Sequence, residues 1–434
     1  MENILARELL EFINQSPTAY HATETVKKML SKAGFEQVKD EDNWKLKQGG
    51  KYFFIKDNSA IIAFIVGNGE LEKDGFRIIG AHTDSPCFKI KPNPEIKVEN
   101  HYLKLNTEAY GGMILSTWFD RPLSIAGRVT IKGKSVFKPE VRLVDINKPV
   151  LIIPNLAIHM NKNINEGYAI NKQKDTLPLL GFINDKFQNE DLLLEILSEN
   201  IKVKKEEIID FDLFLYEHEK GTLLGCSDEF ISASRLDDLW MVFAGIKALI
   251  NSTENKATKV MLCVDNEEIG SLTSSGANSS LIQNFLERIS IALNKNREEY
   301  FRALSNTIMI SADLAHGLHP NQVEKHDPSN RPLLGKGPVI KVAASGSYST
   351  NGYSSAIFKE LCNRASVPYQ SFVNRSDVRG GTTIGPILAA KLCIPVIDMG
   401  AALLSMHSIR ELGATKDNEY IIYLFTTFFG ENMH

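Results

Sequence analysis

Apolar residues recur along the chain at two spacings, one typical of helices and one typical of strands. Near the start, the apolar positions within residues 5–13 repeat every three or four residues and predict a helix. Short apolar runs at 51–55, 60–66 and 76–81 predict strands, and from residue 236 onward helical patterns alternate with runs such as KVMLCVD and IPVIDMG. This alternation predicts an α/β fold with a mostly parallel sheet flanked by helices.

The pattern changes between about residue 90 and residue 225. Alternating apolar and polar positions there, as in HYLKLN, GRVTIKG and FDLFLY, predict strands with one buried face. We therefore expect residues 1–90 and 226–434 to fold together as one discontinuous α/β domain. Residues 91–225 would interrupt it as a β-rich insertion domain.

Composition and charge narrow the class of ligand. The chain has 434 residues, 43% of them hydrophobic and 24% charged, which is ordinary for a globular protein with a large core. Its net charge of −4 and isoelectric point near 6.2 offer no basic surface to nucleic acid or to an anionic membrane. Small molecules or peptides are the expected partners.

The sequence also bears on the compartment. The start, MENILARELLEFINQ, is amphipathic and carries acidic residues, unlike a secretory signal, and no apolar stretch approaches the roughly 20 residues that span a bilayer. The five cysteines are isolated, with no CxxC pair, as expected for reduced thiols. These features predict a cytoplasmic protein without a membrane segment.

His82 follows directly on an apolar run, in FRIIGAHTD. Asp84, two residues later, is placed to orient the imidazole of a metal-binding histidine through a hydrogen bond. An HxD triplet often arises by chance, and most histidines are structural or solvated. Taken alone, this motif is a weak sign of a site.

Glu267 and Glu268 end another apolar run, in KVMLCVDNEEIGS. In a doubly wound sheet, ligands bind beside the carboxyl ends of the strands. Adjacent carboxylates at such an end point in different directions, so that one can hold a metal while the other acts as general base toward a metal-bound water. The alternative is a pair of solvated acids that begin a helix, where the helix dipole favours them.

Further candidate ligands follow other strands of the same predicted sheet. Asp313 ends the run TIMISAD, and His407 comes shortly after the run IPVIDMG. Asp237 and Asp238 begin a predicted helix, where acids often serve only as caps. Two metal ions about 3.5–4 Å apart need a bridging carboxylate, however, and Asp237 is the candidate. The set predicts a two-metal site whose imidazole and carboxylate ligands suit zinc, manganese or cobalt.

Other assignments of the histidines and of one lysine stay open at this point. His316, His319 and His326 form a local cluster that is either polar surface or, as an HxxH pair, a rival set of metal ligands. His407 is preferred because it follows a strand of its own. Lys341, at the end of the run GPVIK, would ordinarily be solvated.

Taken together, the motifs of this chain resemble those of the aspartyl aminopeptidases, a family of dinuclear-zinc metallopeptidases. The resemblance runs nearly end to end, and it implies a zinc-peptidase-like catalytic domain interrupted by a dimerisation domain. The motifs that carry it occur in the family's order: SPTAYHA (16–22), GAHTDSP (80–86), YGGMILSTWFDRPL (110–123), IPNLAIHM (153–160), SRLDD (234–238), DNEEIGS (265–271), SADLAHGLHPN (311–321), KGPVIK (336–341), GGTTIGP (380–386) and LSMHSIRE (404–411).

The resemblance also implies roles for individual residues. Two zinc ions per subunit, with cobalt or manganese as substitutes, would be held by His82 and Asp313 at one ion, by Glu268 and His407 at the other, and by Asp237 as the bridge. Glu267 would be the general base that takes a proton from a water bridging the two ions. Asp84 would orient His82.

The implied substrates are peptides with a free N-terminus, from which the first residue is hydrolysed. Lys341 would pair with an acidic side chain of that residue, favouring Asp or Glu, and His316 and Tyr348 would also contact the substrate. The resemblance further implies a homo-oligomer, a dodecamer built from dimers, in which His159 reaches the active site of a neighbouring subunit. His159 is alternatively a metal ligand.

Two departures from the family pattern bear on specificity. Residues 345–347 read Ser-Gly-Ser where many relatives carry Asn, Gln and Arg, and Asp238 replaces a frequent Asn. An aminopeptidase that prefers neutral residues such as Leu is therefore an alternative. Two others are an amino-acid deacylase with the same metal site, against which the YGG, IPNLAIH and LSMHS motifs argue, and a non-catalytic self-assembling scaffold, against which Glu267 argues.

Overall fold

A computed structural model of the chain describes residues 3–183 and 191–433. Contacts between Cα atoms divide the chain into two compact units. Unit 1 comprises Met1–Asp84, Gly221–Met406 and Glu411–His434, and unit 2 comprises Ser85–Lys220 and His407–Arg410. The assignment of residues 91–225 to a dimerisation domain stays a prediction.

The described residues form helices of very different length. The α-helices are α1 (Ile4–Asn14), α2 (Ala19–Lys32), α3 (Leu71–Asp74), α4 (Ile164–Gly167), α5 (Leu192–Ile201), α6 (Leu236–Asn251), α7 (Leu281–Ala292), α8 (Arg297–Ser305), α9 (Gly352–Ala365), α10 (Ile384–Leu392) and α11 (Thr415–Gly430). Short 3₁₀ turns occur at Leu115–Trp118, Lys205–Glu207, Glu267–Ile269 and Val323–Lys325. Within residues 3–183 and 191–433, none of the helices has the length and apolarity needed to cross a membrane.

The strands are mostly short. They are β1 (Glu36–Gln37), β2 (Lys51–Lys56), β3 (Ala60–Ile65), β4 (Phe76–His82), β5 (Cys87–Val98), β6 (Tyr102–Tyr110), β7 (Leu123–Ser135), β8 (Lys138–Asp145), β9 (Leu179–Phe182), β10 (Ile208–Glu217), β11 (Thr222–Leu224), β12 (Phe230–Ala233), β13 (Thr258–Val264), β14 (Ile308–Ala312), β15 (Ala315–His316), β16 (Val339–Lys341), β17 (Gln370–Phe372), β18 (Val396–Gly400), β19 (Ala402–Leu403) and β20 (Glu411–Ala414).

Unit 1 is built on a nine-stranded sheet with the order β1-β2-β3-β13-β4-β14-β18-β16-β17. The central strands β13, β4, β14 and β18 are parallel to one another, as are the outer pairs β1–β2 and β16–β17. Antiparallel pairings join β2 to β3, β3 to β13 and β16 to β18. The prediction of an α/β fold with a mostly parallel sheet is confirmed.

Both faces of this sheet are buried, which explains the continuous apolar runs of its central strands. In β4, Ile79 and Ala81 pack into a cluster with residues of α1, α2, α6, α9 and α11, whereas Phe76 and Ile78 pack into another with residues of α7, α8 and α10. Successive residues of a strand point to opposite faces, so one strand serves both clusters. Unit 1 is therefore a three-layer structure of helices, sheet and helices.

The register of the central strands brings their carboxyl ends to one edge of the sheet. Val264, the last residue of β13, pairs with His82, the last residue of β4. On the other side of β4, Ser311 of β14 pairs with Gly80. Residues that follow these three strands consequently emerge close together.

Unit 2 contains a six-stranded sheet with the order β8-β7-β10-β5-β6-β9, in which every neighbouring pair is antiparallel. Its core includes Phe88, Trp118 and Leu213, with Leu193 and Leu197 of α5 packed against them. Phe88 and Trp118 meet edge to face, with ring centroids 5.1 Å apart. The alternation of apolar and polar residues in this part of the sequence corresponds to the strands of this sheet.

Asp417, in the first turn of α11, holds the loop before β16. Its two carboxylate oxygens accept the N–H groups of Gly335 at 2.7 Å and of Gly337 at 2.8 Å. Burial raises the pKa of Asp417 from 3.8 to about 6, although these two hydrogen bonds oppose the rise. The folded protein therefore binds this proton more tightly than the unfolded chain does.

Stability should consequently depend on pH through Asp417. As pH rises from about 4 to about 6, the free energy of unfolding of the wild type should fall relative to that of an Asp417→Asn variant, by up to about 3 kcal/mol. Urea denaturation at several pH values measures the difference. An Asp42→Asn variant, which removes an exposed carboxylate, is the control, and parallel curves for wild type and Asp417→Asn would contradict the expectation.

Candidate metal centre

His82 ends β4 and is almost completely buried. Its Nδ1 lies 3.0 Å from the carbonyl oxygen of Asp84 and 3.4 Å from that residue's Oδ1. A carbonyl oxygen can only accept, so Nδ1 carries the hydrogen and Nε2 is left as the ligand atom. Nε2 faces Asp237, whose Oδ1 is 3.5 Å away.

The carboxylate of Asp84 also accepts hydrogen bonds from the turn after β13, a role that the HxD spacing does not predict. Its Oδ1 accepts the N–H of Glu267 at 3.1 Å, and its Oδ2 accepts the N–H of Glu268 at 3.2 Å. One carboxylate thus binds the first two free N–H groups of the 3₁₀ turn that begins at Glu267. Asp84 thereby fixes the end of β4 to the turn after β13.

The backbone conformation of two flanking residues allows the turn that carries Glu267 and Glu268. Asn266 has φ 63° and Gly270 has φ 97°, so the chain enters and leaves the turn in the left-handed region. Asn and Gly are the residues that adopt this region most readily. The side chain of Asn266 is also held, since Thr273 Oγ1 donates to its Oδ1 at 2.7 Å. The chain therefore reverses directly after β13, at the edge of the sheet.

Asp237 and Asp238 stand at the beginning of α6, both buried and both with backbone angles outside the helical range. The N–H of Asp237 donates to Oε2 of Glu411 at 3.0 Å. Oδ2 of Asp238 accepts the N–H of His82 at 3.0 Å. These acids are therefore more than helix caps, because buried hydrogen bonds tie them to β20 and β4.

Asp313 follows β14 and lies beside a buried cation. Its Oδ2 is 3.5 Å from Nζ of Lys341, which also donates to the carbonyl oxygen of Leu314 at 3.1 Å. Lys341 is only 2% exposed. The alternative of an ordinary, solvated lysine is wrong, because the strand that ends with Lys341 is buried on every residue, while its proposed contact with substrate stays a prediction. Nζ also lies 5.2 Å from the ring centroid of Tyr348.

A glycine lets the strand beside Asp313 approach closely. A Cβ atom at Gly400, the last residue of β18, would lie 1.9 Å from the carbonyl oxygen of Asp313. No other residue fits there without moving the backbone of Asp313. The N–H of Asp313 in turn donates to the carbonyl oxygen of Met399 at 2.9 Å.

The site fits a metal ion such as zinc. Within unit 1, two groups of described side chains each offer one ligand atom per residue, all within 4.8 Å of one another: His82, Asp237, Asp238 and Asp313 in the first, and His82, Glu267 and Glu268 in the second. Imidazole and carboxylate are zinc ligands. Within residues 3–183 and 191–433, Oδ1 of Asp238 is buried without a hydrogen-bond partner, which is costly unless a cation satisfies it.

The electrostatics also favour a bound cation. Burial raises the pKa of Asp238 well above its ordinary value; His82 opposes this rise, whereas Asp313 and Asp237 add to it. Burial likewise raises the pKa of Glu267 to about 7. The fold concentrates more carboxylates here than its own cationic side chains neutralise, and a metal ion offsets such repulsion.

His407 belongs to unit 2. Its Nδ1 lies 2.6 Å from the carbonyl oxygen of Gly112, and its own carbonyl oxygen accepts the N–H of Ile114 at 2.9 Å. Arg410 anchors the same segment, because its Nη2 lies 3.1 Å from Oε2 of the buried Glu217. These contacts fix His407 within its unit, and its part in metal binding stays a prediction.

The remaining histidines are distributed differently. Among the described residues, neither His316 nor His319 nor His326 belongs to a group of three or more candidate metal ligands. His319 and His326 instead bond to each other, since Nε2 of His326 accepts the N–H of His319 at 3.1 Å. His159 is exposed on a loop of unit 2. The rival HxxH set therefore gains no support from the geometry.

Sequence reasoning gave no role at the metals to two residues of this site. Asp238 was considered as an acid that caps a helix and as a departure from the family pattern, yet it is in the first ligand group and is completely buried. Glu411 was not singled out, although it accepts the N–H of Asp237. The adjacency of two acids in SRLDD was a signal for Asp238, whereas the partner of Glu411 lies 174 residues away along the chain.

Comparison with known proteins agrees with this geometry. The aminopeptidase I zinc metalloprotease (M18) family matches residues 12–429. A probable M18 family aminopeptidase 2 from Clostridium novyi (strain NT) is 57% identical over 424 residues, which are 98% of this chain and 98% of the relative.

Solved structures agree as well. Ape4, from its cryo-EM complex with Nbr1, has a TM-score of 0.94 and 37% identity over 98% of this chain and 85% of its own. The S. cerevisiae mApe1 dodecamer has a TM-score of 0.85 and 31% identity over 98% of this chain and 96% of its own. On these findings, the chain belongs to the M18 family of zinc aminopeptidases.

Proposed function

We propose that the protein hydrolyses the N-terminal residue from peptides by a zinc-dependent reaction with Glu267 as general base, and that it prefers Asp or Glu as that residue. The observation that supports the proposal best is the grouping of Glu267 with His82 and Glu268 at the edge of the sheet, within 4.8 Å. General-base catalysis and metal binding need such proximity.

The proposed metal ligands are those that the family resemblance implies. His82 and Asp313 would hold one zinc ion, Glu268 and His407 a second, and Asp237 both. Zinc bound there supplies Lewis-acid polarisation of the scissile carbonyl and lowers the pKa of a water molecule. The free amine of the substrate would be held at the same site, and this requirement for a free amine would make the enzyme an exopeptidase.

Glu267 would move the proton of the reaction. Its carboxylate accepts a proton from the attacking water and then donates it to the leaving amine. Burial raises the pKa of this carboxyl to about 7 in the metal-free protein, and bound zinc would lower it, which favours the ionised form that accepts a proton. The hydrogen bond from the Glu267 N–H to Asp84 Oδ1, 3.1 Å long, keeps the backbone of the base in place.

We further propose that His316, Lys341 and Tyr348 line the subsite for the first residue of the substrate. Lys341 and Tyr348 contact each other, and Lys341 also approaches Asp313, so this subsite would begin beside the metal ligands. His159 would complete it from a neighbouring subunit. An assembly of twelve copies is consistent with the dodecamer formed by mApe1.

Replacing Glu267 by Gln should remove the base and spare the metal site. We expect the rate of release from Asp-, Glu- and Leu-initiated peptides to fall by about 10²–10⁴-fold, the range typical of a lost general base. Initial rates of amino-acid release, together with the zinc content of the protein, measure both effects. Glu36→Gln, at an exposed position, is the matched control, and full activity in Glu267→Gln would refute the assignment.

Removing zinc should abolish activity and lower stability together. Because a metal that binds only the folded state stabilises it by mass action, free zinc at 100 times its dissociation constant should contribute about 3 kcal/mol. A thermal melt with and without chelator, followed by readdition of zinc, measures this contribution. Asp313→Asn should bind less zinc than Asp42→Asn, and equal zinc content in the two variants would contradict the role of Asp313.

The proposed assembly can be weighed directly. A dodecamer should elute from a size-exclusion column with a light-scattering mass near twelve times the 48.5 kDa of one chain. A species near the mass of one chain at micromolar concentration would overturn the dodecamer, and with it the proposed reach of His159 into a neighbouring subunit.

A further inference from the structure

Unit 1 contains a cavity of about 310 Å³ whose role the metal site does not explain. The segments 316–327, 372–381 and 403–406 supply its lining residues. Phe372 and Leu404 contribute apolar wall, whereas Lys325, Arg375 and Arg379 contribute positive charge. A cavity with apolar walls and a few charged groups is typical of a subsite for a small, charged group.

A row of side-chain contacts connects this cavity to the metal ligands. From Asp313, Nζ of Lys341 is 3.5 Å away, and the same Nζ lies 5.2 Å from the ring centroid of Tyr348. The ring of Tyr348 is 6.4 Å from that of Phe372, which is 5.8 Å from the ring of His316. Phe372 and His316 line the cavity. Two residues that line the cavity therefore stand at the far end of the row of packed side chains that begins at Asp313.

Two of the charged groups in the cavity are already neutralised or occupied. Arg375 donates to both carboxylate oxygens of Asp377, each at 2.7 Å. Oδ1 of Asp327, the carboxylate in the lining, accepts the backbone N–H groups of Ser329 at 3.0 Å and of Asn330 at 2.8 Å. Neither group is therefore available to a ligand without losing strong local bonds.

Arg379 is different. Among residues 3–183 and 191–433 it has no hydrogen bond, ion pair or ring contact, and its side chain is exposed at the cavity. Lys341, by contrast, is buried and donates to Leu314. Lys325 likewise has no side-chain hydrogen bond, ion pair or ring contact in the described part of the chain, although its charge helps to lower the pKa of Asp377. Of these two exposed cations, only Arg379 carries the planar guanidinium group that can bind a carboxylate through two hydrogen bonds.

We propose that the cavity receives a carboxylate group of the peptide substrate and that Arg379 is the specificity-determining residue that binds it. This inference rests on the proposed aminopeptidase function. The planar guanidinium group binds a carboxylate through two parallel hydrogen bonds, and Phe372 and Leu404 would pack against the methylene groups that carry it. The carboxylate comes either from the side chain of the first residue or from the C-terminus of a short peptide.

The test compares Arg379→Gln with the wild type on two pairs of short peptides. One pair begins with Glu or Leu and carries an amidated C-terminus; the other begins with Leu and differs only in a free or amidated C-terminus. If the side chain is bound, kcat/KM for the Glu-initiated amide should fall about tenfold, mainly through KM, while the Leu-initiated amide is unaffected. If the C-terminus is bound, the loss should be confined to the free acid.

Two further variants sharpen the comparison. Lys336→Gln removes an exposed cation that does not line the cavity. This variant should leave the ratio of kcat/KM values unchanged within each of the two pairs of peptides. Arg379→Lys keeps the positive charge and should recover part of the kcat/KM that Arg379→Gln loses. Added salt should weaken the preference of the wild type for the peptide that carries the carboxylate, and should leave the preference of Arg379→Gln unchanged. Equal effects of Arg379→Gln on all peptides, or none, would overturn the inference. No release of any residue by the zinc-loaded wild type would overturn the proposed function instead, and the inference with it.

Discussion

Repulsion among buried carboxylates at the ends of β4, β13 and β14 is the constraint on which the rest of unit 1 depends. The parallel register of these strands delivers His82, Glu267 and Asp313 to one edge, and α6 adds Asp237 and Asp238. Buried negative charge of this density is unfavourable unless a cation compensates for it. An arrangement of this kind would be stabilised by a bound metal ion.

The protein holds these acids through hydrogen bonds to the main chain. Asp84 binds the N–H groups of Glu267 and Glu268, Asp238 binds the N–H of His82, and Glu411 binds the N–H of Asp237. A backbone N–H cannot move without moving its strand or turn, so each bond ties one element of the site to another. The positions of the ligands are thus set by the whole edge of the sheet and by no single loop.

Much of this edge could be predicted from the sequence because short-range patterns determine it. Apolar runs predicted strands at 51–55, 60–66 and 76–81, and the structure has them at Lys51–Lys56, Ala60–Ile65 and Phe76–His82. In a mostly parallel sheet, strand ends are where ligands bind, so His82, Glu267 and Asp313 stood out. The antiparallel pairing of β16 with β18 was not predicted, since a run such as GPVIK carries no sign of its direction in the sheet.

By itself the sequence determined the fold class, the family and the ligand residues to consider, because all three depend on residue types at fixed short spacings. Only the tertiary structure decided which charged side chains lie next to one another and which have no partner among the described residues. It showed Lys341 buried against Asp313, Asp238 within the ligand group, and Arg379 exposed at a cavity without a partner in the described residues. Such partnerships join residues far apart in the chain, and they arise only when the packing of strands and helices brings those residues together.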